Sequence, residues 1–209
     1  MARLVLAVAF LVAIHVVPSA PGIRERLVMT LGKAGFYAGY SLLSLAALTA
    51  VIWAYQTMQP GPWLYESVPG ARWSALVGMA IACFLLAARL TTAPAEETPH
   101  GIYRVTAVPG SLAFLIWALV HLANLGEARL VVIFIGMAVL AAAALIKNLH
   151  RASPSYRNVG WLPFAAIIAG RQTLVWSEIA WWRLALALGL YLGLLLLHPL
   201  VIGPDPLAG

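Results

Sequence analysis

The sequence predicts an all-α fold: an integral membrane bundle of six transmembrane helices, with an interfacial or re-entrant segment in the fifth loop. Three observations carry that prediction. Of the 209 residues, 63% are apolar and 10% are charged, with a mean hydropathy of +0.91; a soluble domain is about half apolar and a quarter charged, and one of this size could not hide so much apolar surface. Six apolar stretches reach or approach the roughly 20 residues that a helix needs to cross a bilayer. The cations of the connecting loops are also unequally shared between the two sides. The chain reads as one domain over residues 1–209, with no internal repeat and no low-complexity tract.

The first stretch, Ala2–Val17, has the outline of a signal peptide, with Arg3 ahead of it and Pro18-Ser19-Ala20 behind. Pro21 after such a cleavage site, and His15 inside the apolar run, argue for an uncleaved helix instead. The second stretch, Ala34–Thr57, carries Gly35, Gly39, Ala46 and Ala50 on roughly one face, with Ser41 and Ser44 nearby. Small residues so spaced let membrane helices approach closely, and packing within the bundle is expected of them. The third, Trp73–Leu90, holds the single cysteine, Cys83. That residue excludes an internal disulfide and a multi-cysteine metal site, and reads as a small buried hydrophobe.

The remaining stretches are Val108–Leu125, Ala128–Ile146 and Ala180–Val201. The longest loop, from about Lys147 to Trp182, contains the apolar segment Leu162–Ala169, followed by Gly170-Arg171. That segment is too short to span and reads as interfacial or re-entrant. Around it stand Trp161, Trp176, Trp181 and Trp182, residues at home at headgroup level.

The first, third and fifth loops carry ten cations: Arg24, Arg26, Lys33, Arg89, Arg104, Lys147, Arg151, Arg157, Arg171 and Arg183. The other side carries three, Arg3, Arg72 and Arg129. This bias places the odd-numbered loops in the cytoplasm and both termini on the opposite, periplasmic side. The net charge is +6, but the cations are scattered, which excludes a nucleic-acid-binding surface, where they would cluster.

Ionisable groups at membrane depth are candidates for function. No Asp, Glu or Lys falls deep in a span, which argues against a proton pump or ion-coupled transporter. Histidines remain: His15, His121 and His198, with His100 and His150 in loops and given no catalytic role. The plain reading of His15 is a helix-end histidine bonded to the Ile14 carbonyl, to which Pro18 cannot donate. His121 shares one helical face with Phe114, Trp117 and Asn124. Such an aromatic face suits a flat apolar cofactor such as haem, whose iron takes axial histidines; the plain alternative is a hydrogen bond to a neighbouring helix. His198, before Pro199, ends the sixth span. At about 1.5 Å per residue, His121 and His198 share a level near the outer surface, and His15 lies ~10–15 Å deeper. Spacing alone does not choose the ligand pair.

Several motifs, in order, match a known family. They are His15 followed by Pro21–Leu27 with Arg24, Gly35-Phe36-Tyr37, Tyr40–Leu45, Gly101-Ile102-Tyr103-Arg104-Val105-Thr106, Trp117–Leu122, Asn124–Glu127, Leu162–Ile167 with Gly170-Arg171, and His198-Pro199 with Gly203. Over nearly its whole length the chain resembles the NnrU family of bacterial membrane proteins, which includes the plant ζ-carotene isomerase. The resemblance implies a multi-pass protein of the bacterial inner membrane that binds haem b. His15 and His121 match the iron ligands of the isomerase branch, and His198 stands as an alternative second ligand. Arg24 and Arg104 are candidates for the propionates, with topology and surface solvation as their plainer roles. Besides the lipid bilayer, the implied partners are nitric oxide, through support of nitrite and nitric oxide reductase activity in denitrification, or a hydrophobic polyene.

Two departures weigh against the isomerase. The family's Arg-His-Pro triplet reads Ala107-Val108-Pro109 here, and Ala118 replaces a cysteine three residues before the second histidine. The loss of the triplet also argues against methyl transfer, as in related membrane methyltransferases. Three readings follow: a haem protein serving denitrification or nitric-oxide handling, a haem-dependent 15-cis-ζ-carotene isomerase-like enzyme, and a cofactor-free scaffold or assembly factor. The residues alone favour the third; the resemblance moves the balance to haem.

Overall fold

The computed structural model describes residues 1–207 except Pro21, Val68 and Glu96; the Pro21 of the cleavage argument therefore lies outside the described residues. The described chain is all-helical. The long helices are α1 (Ala2–Val16, extended by a 3-10 turn over Val17–Ser19), α2 (Ile23–Gln56), α3 (Ala71–Thr91), α5 (Pro109–Asn124), α6 (Ala128–Arg151) and α9 (Trp181–Val201). Three short helices, α4 (Ile102–Val105), α7 (Pro154–Val159) and α8 (Ala165–Ile168), lie in the loops.

Five helices are long and apolar enough to cross a membrane: α1 with its 3-10 turn, α2, α3, α6 and α9. The sixth expected span, α5, is apolar but has 16 residues, about 24 Å of rise against a hydrocarbon core of ~30 Å. Its ends are fixed by Pro109, which suits a first helical turn but cannot continue a preceding helix, and by Asn124, whose amide donates back to the Val120 carbonyl at 2.7 Å.

α2 starts earlier than the apolar run predicts because helical hydrogen bonding begins at Ile23. It breaks at Gly32, whose φ of 69° leaves the helical region, a conformation open to glycine at little cost. The polar segment before the break carries Arg24, Glu25 and Arg26; the apolar one after it follows the predicted span. α6 likewise runs past its apolar run to Arg151, so its last turn carries His150 and Arg151.

The long helices pack in the order α2, α1, α6, α5, α3, α9, each against its neighbours in that row. Leu4, Val8, Leu11 and Ile14 give α1 one buried face, which meets Ala47, Val51 and Ala54 of α2. Close approach needs small residues: a Cβ on Gly78 would stand 2.6 Å from Val120 Cγ1, and one on Gly136 would collide with Val8. The small face of α2 does not pack as expected. Nothing lies within 4 Å of a Cβ built on Gly39, and Ala46 is exposed, because α2 meets α1 through the adjacent face of Ala47, Val51 and Ala54. Cys83 is buried, as read from the sequence.

At the arginine-rich end the third and fifth loops fold over one another. The Ala107 N–H donates to the Gly160 carbonyl at 2.8 Å and the Phe164 N–H to the Val105 carbonyl at 3.0 Å, while the Thr106 hydroxyl donates to the Trp161 carbonyl at 2.9 Å. The segment read as interfacial or re-entrant holds α8, which packs on α4 and α7 and not among the long helices. Trp161, Trp176, Trp181 and Trp182 are all exposed, as headgroup-level indoles should be.

Candidate functional site

His121 is held from both sides by its own sequence neighbourhood. Its Nδ1–H donates to the Trp117 carbonyl one turn back, at 2.8 Å, and not to a neighbouring helix as its plain reading had it. Its ring stacks on Phe134 of α6 at 4.8 Å between centroids and 21° between planes. Trp117 completes the corner, 5.5 Å from His121 and 5.4 Å from Phe134, and Phe114 continues the aromatic face at 6.1 Å from Trp117. Asn124, read from the sequence as part of this face, is a fastener instead: its amide donates to the Ala71 carbonyl at 3.0 Å and so ties α5 to the start of α3.

His198 lies on α9 three residues before its end, as His121 lies three residues before the end of α5. Both helices finish at the same face of the bundle. The Nδ1–H of His198 donates to the Pro204 carbonyl at 2.7 Å. The tail beyond it is tied to α3 by Arg72, which donates to the Pro206 carbonyl at 3.0 Å and to the Leu207 carbonyl.

His15 sits apart, as the penultimate residue of α1 at the arginine-rich end, ~15 Å along the bundle from the level of His121. Its Nδ1–H donates to the Leu11 carbonyl at 2.8 Å, not to the Ile14 carbonyl; the i−4 oxygen is the one in reach of its side chain. Its ring meets the edge of Tyr40 at 5.5 Å, and Tyr40 stacks on Phe36. Arg24 belongs to this cluster. It donates to the Tyr37 hydroxyl at 2.8 Å and lies over the Phe36 ring at 5.8 Å.

A shared feature unites the three membrane histidines. Each spends Nδ1–H on a backbone carbonyl, so that in the neutral imidazole the lone pair falls on Nε2. Among the described residues, no group of three or more His, Cys, Asp or Glu could hold a metal ion.

Arg104 lies elsewhere and is engaged. Its Nε and Nη2 donate to the two carboxylate oxygens of Glu178 at 2.8 and 2.9 Å, while the Gly101 N–H donates to the same carboxylate at 2.6 Å. This fork, with the help of the Gly101 N–H, outweighs partial burial and lowers the pKa of Glu178 to about 2. Arg183 joins the knot through the Glu178 carbonyl at 2.9 Å and the Thr91 carbonyl at 3.1 Å. Sequence reasoning missed Glu178: one carboxylate in a long loop carries no spacing signal.

The opposite face has its own knot. Glu127 is 6% exposed and accepts the Gly61 N–H at 2.5 Å and Arg129 Nε at 3.0 Å. Burial pulls its pKa up, but these bonds pull harder, and the net shift is downward. Arg129 also donates to the Met58 carbonyl at 2.8 Å and lies 4.7 Å from the Tyr55 ring centroid.

No curated protein and no solved structure matches the chain. The family model described as NnrU protein matches residues 3–206. That match takes in His15, His121 and His198 together with both carboxylate knots, and so the chain belongs to the NnrU family.

Proposed function

We propose that this NnrU-family membrane protein binds haem b with His121 as one axial ligand and His198 as the second, in support of nitrite and nitric oxide reduction. The observation that carries the reading is the pair of imidazoles at one level, each with Nδ1–H committed to the backbone and Nε2 free. The Phe114, Trp117 and Phe134 rings, set edge to face, supply apolar surface beside His121 for a porphyrin to pack against. When bound, the haem supplies a redox-active iron whose potential follows its axial ligands and the polarity around it. Arg24 stands with His15 at the arginine-rich end and Arg104 fastens the loops there, so neither of the two propionate candidates lies at the level of His121 and His198. In this reading α5 is a short sixth crossing, packed between α3 and α6, in a bacterial inner membrane with the arginine-rich end in the cytoplasm.

The test is a reduced-minus-oxidised absorption spectrum of the purified protein, with a pyridine haemochrome measurement of stoichiometry. A Soret band, sharp α and β bands and one haem per chain are the expected result. A protein that stays colourless after haem addition overturns the reading and leaves a helical scaffold. A second reading, cis-trans isomerisation of a polyene such as ζ-carotene, draws on α2 and α9, the two ends of the helix row, each with one principal helical neighbour. Turnover of 15-cis-ζ-carotene by the haem-loaded protein decides it.

A further inference from the structure

A cavity of about 380 Å³ opens at the arginine-rich end, remote from His121 and His198. Its walls come from the end of α3, the start of α5 and the end of α6, where Arg89, Ser111, Asn148 and Arg151 stand around it. Ala107 and Val108 also line it, so the two positions that depart from the family triplet face this space.

The chemistry of the lining is one-sided. Neither ion pair of the described residues involves Arg89 or Arg151. Arg151 donates to the neutral Ser19 carbonyl at 3.0 Å, and among the described residues no carboxylate lines the cavity. The Arg89 stem lies across the first turn of α5, 3.3 Å from where a Cβ on Gly110 would stand. Ser111 Oγ accepts the Asn148 amide at 2.9 Å, which leaves the hydroxyl proton free to donate. The first turn of α5 has no side-chain cap, so the Gly110 and Ser111 N–H groups add donors on the same side. Two arginines, a serine hydroxyl and a helix start therefore line one cavity, with no negative charge among its described lining residues.

We infer that this cavity is a binding site for a phosphate-bearing anion, held between Arg89 and Arg151 with Ser111 as a neutral donor. Guanidinium groups match the oxygen geometry of phosphate. The chemistry is shared by two sources, the headgroup of an anionic lipid and a free phosphate or phosphate ester from the aqueous side. The inference is independent of haem binding.

The full chain in phosphatidylcholine nanodiscs, titrated with inorganic phosphate in a calorimeter, tests the free anion. Phosphatidylglycerol added from mixed micelles and counted by native mass spectrometry tests the lipid. Saturable binding of one equivalent of either probe is expected. Arg89→Gln and Arg151→Gln should each weaken it roughly tenfold or more, as loss of a charged hydrogen-bond donor does. Ser111→Ala changes no charge and should weaken it several-fold, whereas Arg26→Gln, exposed on α2 at the same end, should leave it unchanged. Binding of phosphate alone identifies a soluble anion, and binding of phosphatidylglycerol alone identifies a lipid. Absence of saturable binding to both, or equal weakening by Arg26→Gln, overturns the site. Unchanged circular dichroism in each variant ensures that a loss of binding is not a loss of fold.

Discussion

The two ends of the bundle are fastened by the same chemistry and equipped differently. At one end Glu178 ties the third and fifth loops together through Arg104 and the Gly101 N–H. At the other, Glu127 ties the turn before α6 to the loop before α3 through Arg129 and the Gly61 N–H. Each knot is a carboxylate between an arginine and a backbone amide, and each serves to hold the helix ends. The Glu127 end also carries His121 and His198, each with Nδ1–H on a backbone carbonyl. Neither imidazole bonds to Glu127 or Arg129, so the pair is surplus to the fastening of that end.

The largest effect should come from breaking that surplus. His121→Ala is expected to abolish haem retention, read as loss of the Soret band and of pyridine haemochrome, because its aromatic corner offers no substitute ligand. A variant with a full haem complement and an unchanged spectrum would show that His121 is not the ligand. Next in size, His198→Ala should turn a six-coordinate spectrum into a five-coordinate one, whereas His15→Ala should leave coordination intact. The opposite pattern would move the ligand pair to His15 and His121, as the resemblance implies, and would require α1 and α5 to shift along one another.

The knots themselves give smaller effects, and unequal ones. Glu127→Ala leaves Arg129 buried without its partner and should cost about 3 kcal/mol, the lower range for breaking a buried pair. Glu178→Ala removes a partly exposed fork and should cost about 1–2 kcal/mol. Chemical denaturation in one detergent compares the two; equal losses would mean that burial does not set their ranking. The smallest effect is that of acid. The folded pKa of Glu178 is about 2 against 4.5 for a free glutamate, so its contribution is fully present above about pH 4.5. It is lost as the pH falls towards 2. Limited proteolysis of the loop between α6 and α9 should therefore accelerate over that window in the parent and change less in Glu178→Ala.

Much of the fold was legible because lipid imposes it. The apolar runs over 2–17, 73–90 and 180–201 predict α1, α3 and α9 to within two residues at either end, since a helix crossing a bilayer must satisfy its own backbone. Less legible were the polar extensions of α2 and α6, where water surrounds the helix and hydropathy carries no signal. The face of α2 that packs was misread, because Gly39 and Ala47 are equally small and only the neighbouring helix selects between them. At the site, the face of Phe114, Trp117 and His121 followed from helical spacing alone. Phe134 and Glu178 did not, for each meets its partner across a gap in sequence that carries no pattern.

By itself the sequence determined the all-helical membrane-type class, five of its long apolar helices, the charge asymmetry between the faces and the family. These follow from composition and local periodicity, which act within one helix at a time. Only the tertiary structure decided that Phe134 stacks on His121, that Arg104 is bound by Glu178, and that Arg89 and Arg151 line one cavity. Those relations depend on how separate helices are ranked and shifted against one another, and contacts between distant segments set that arrangement.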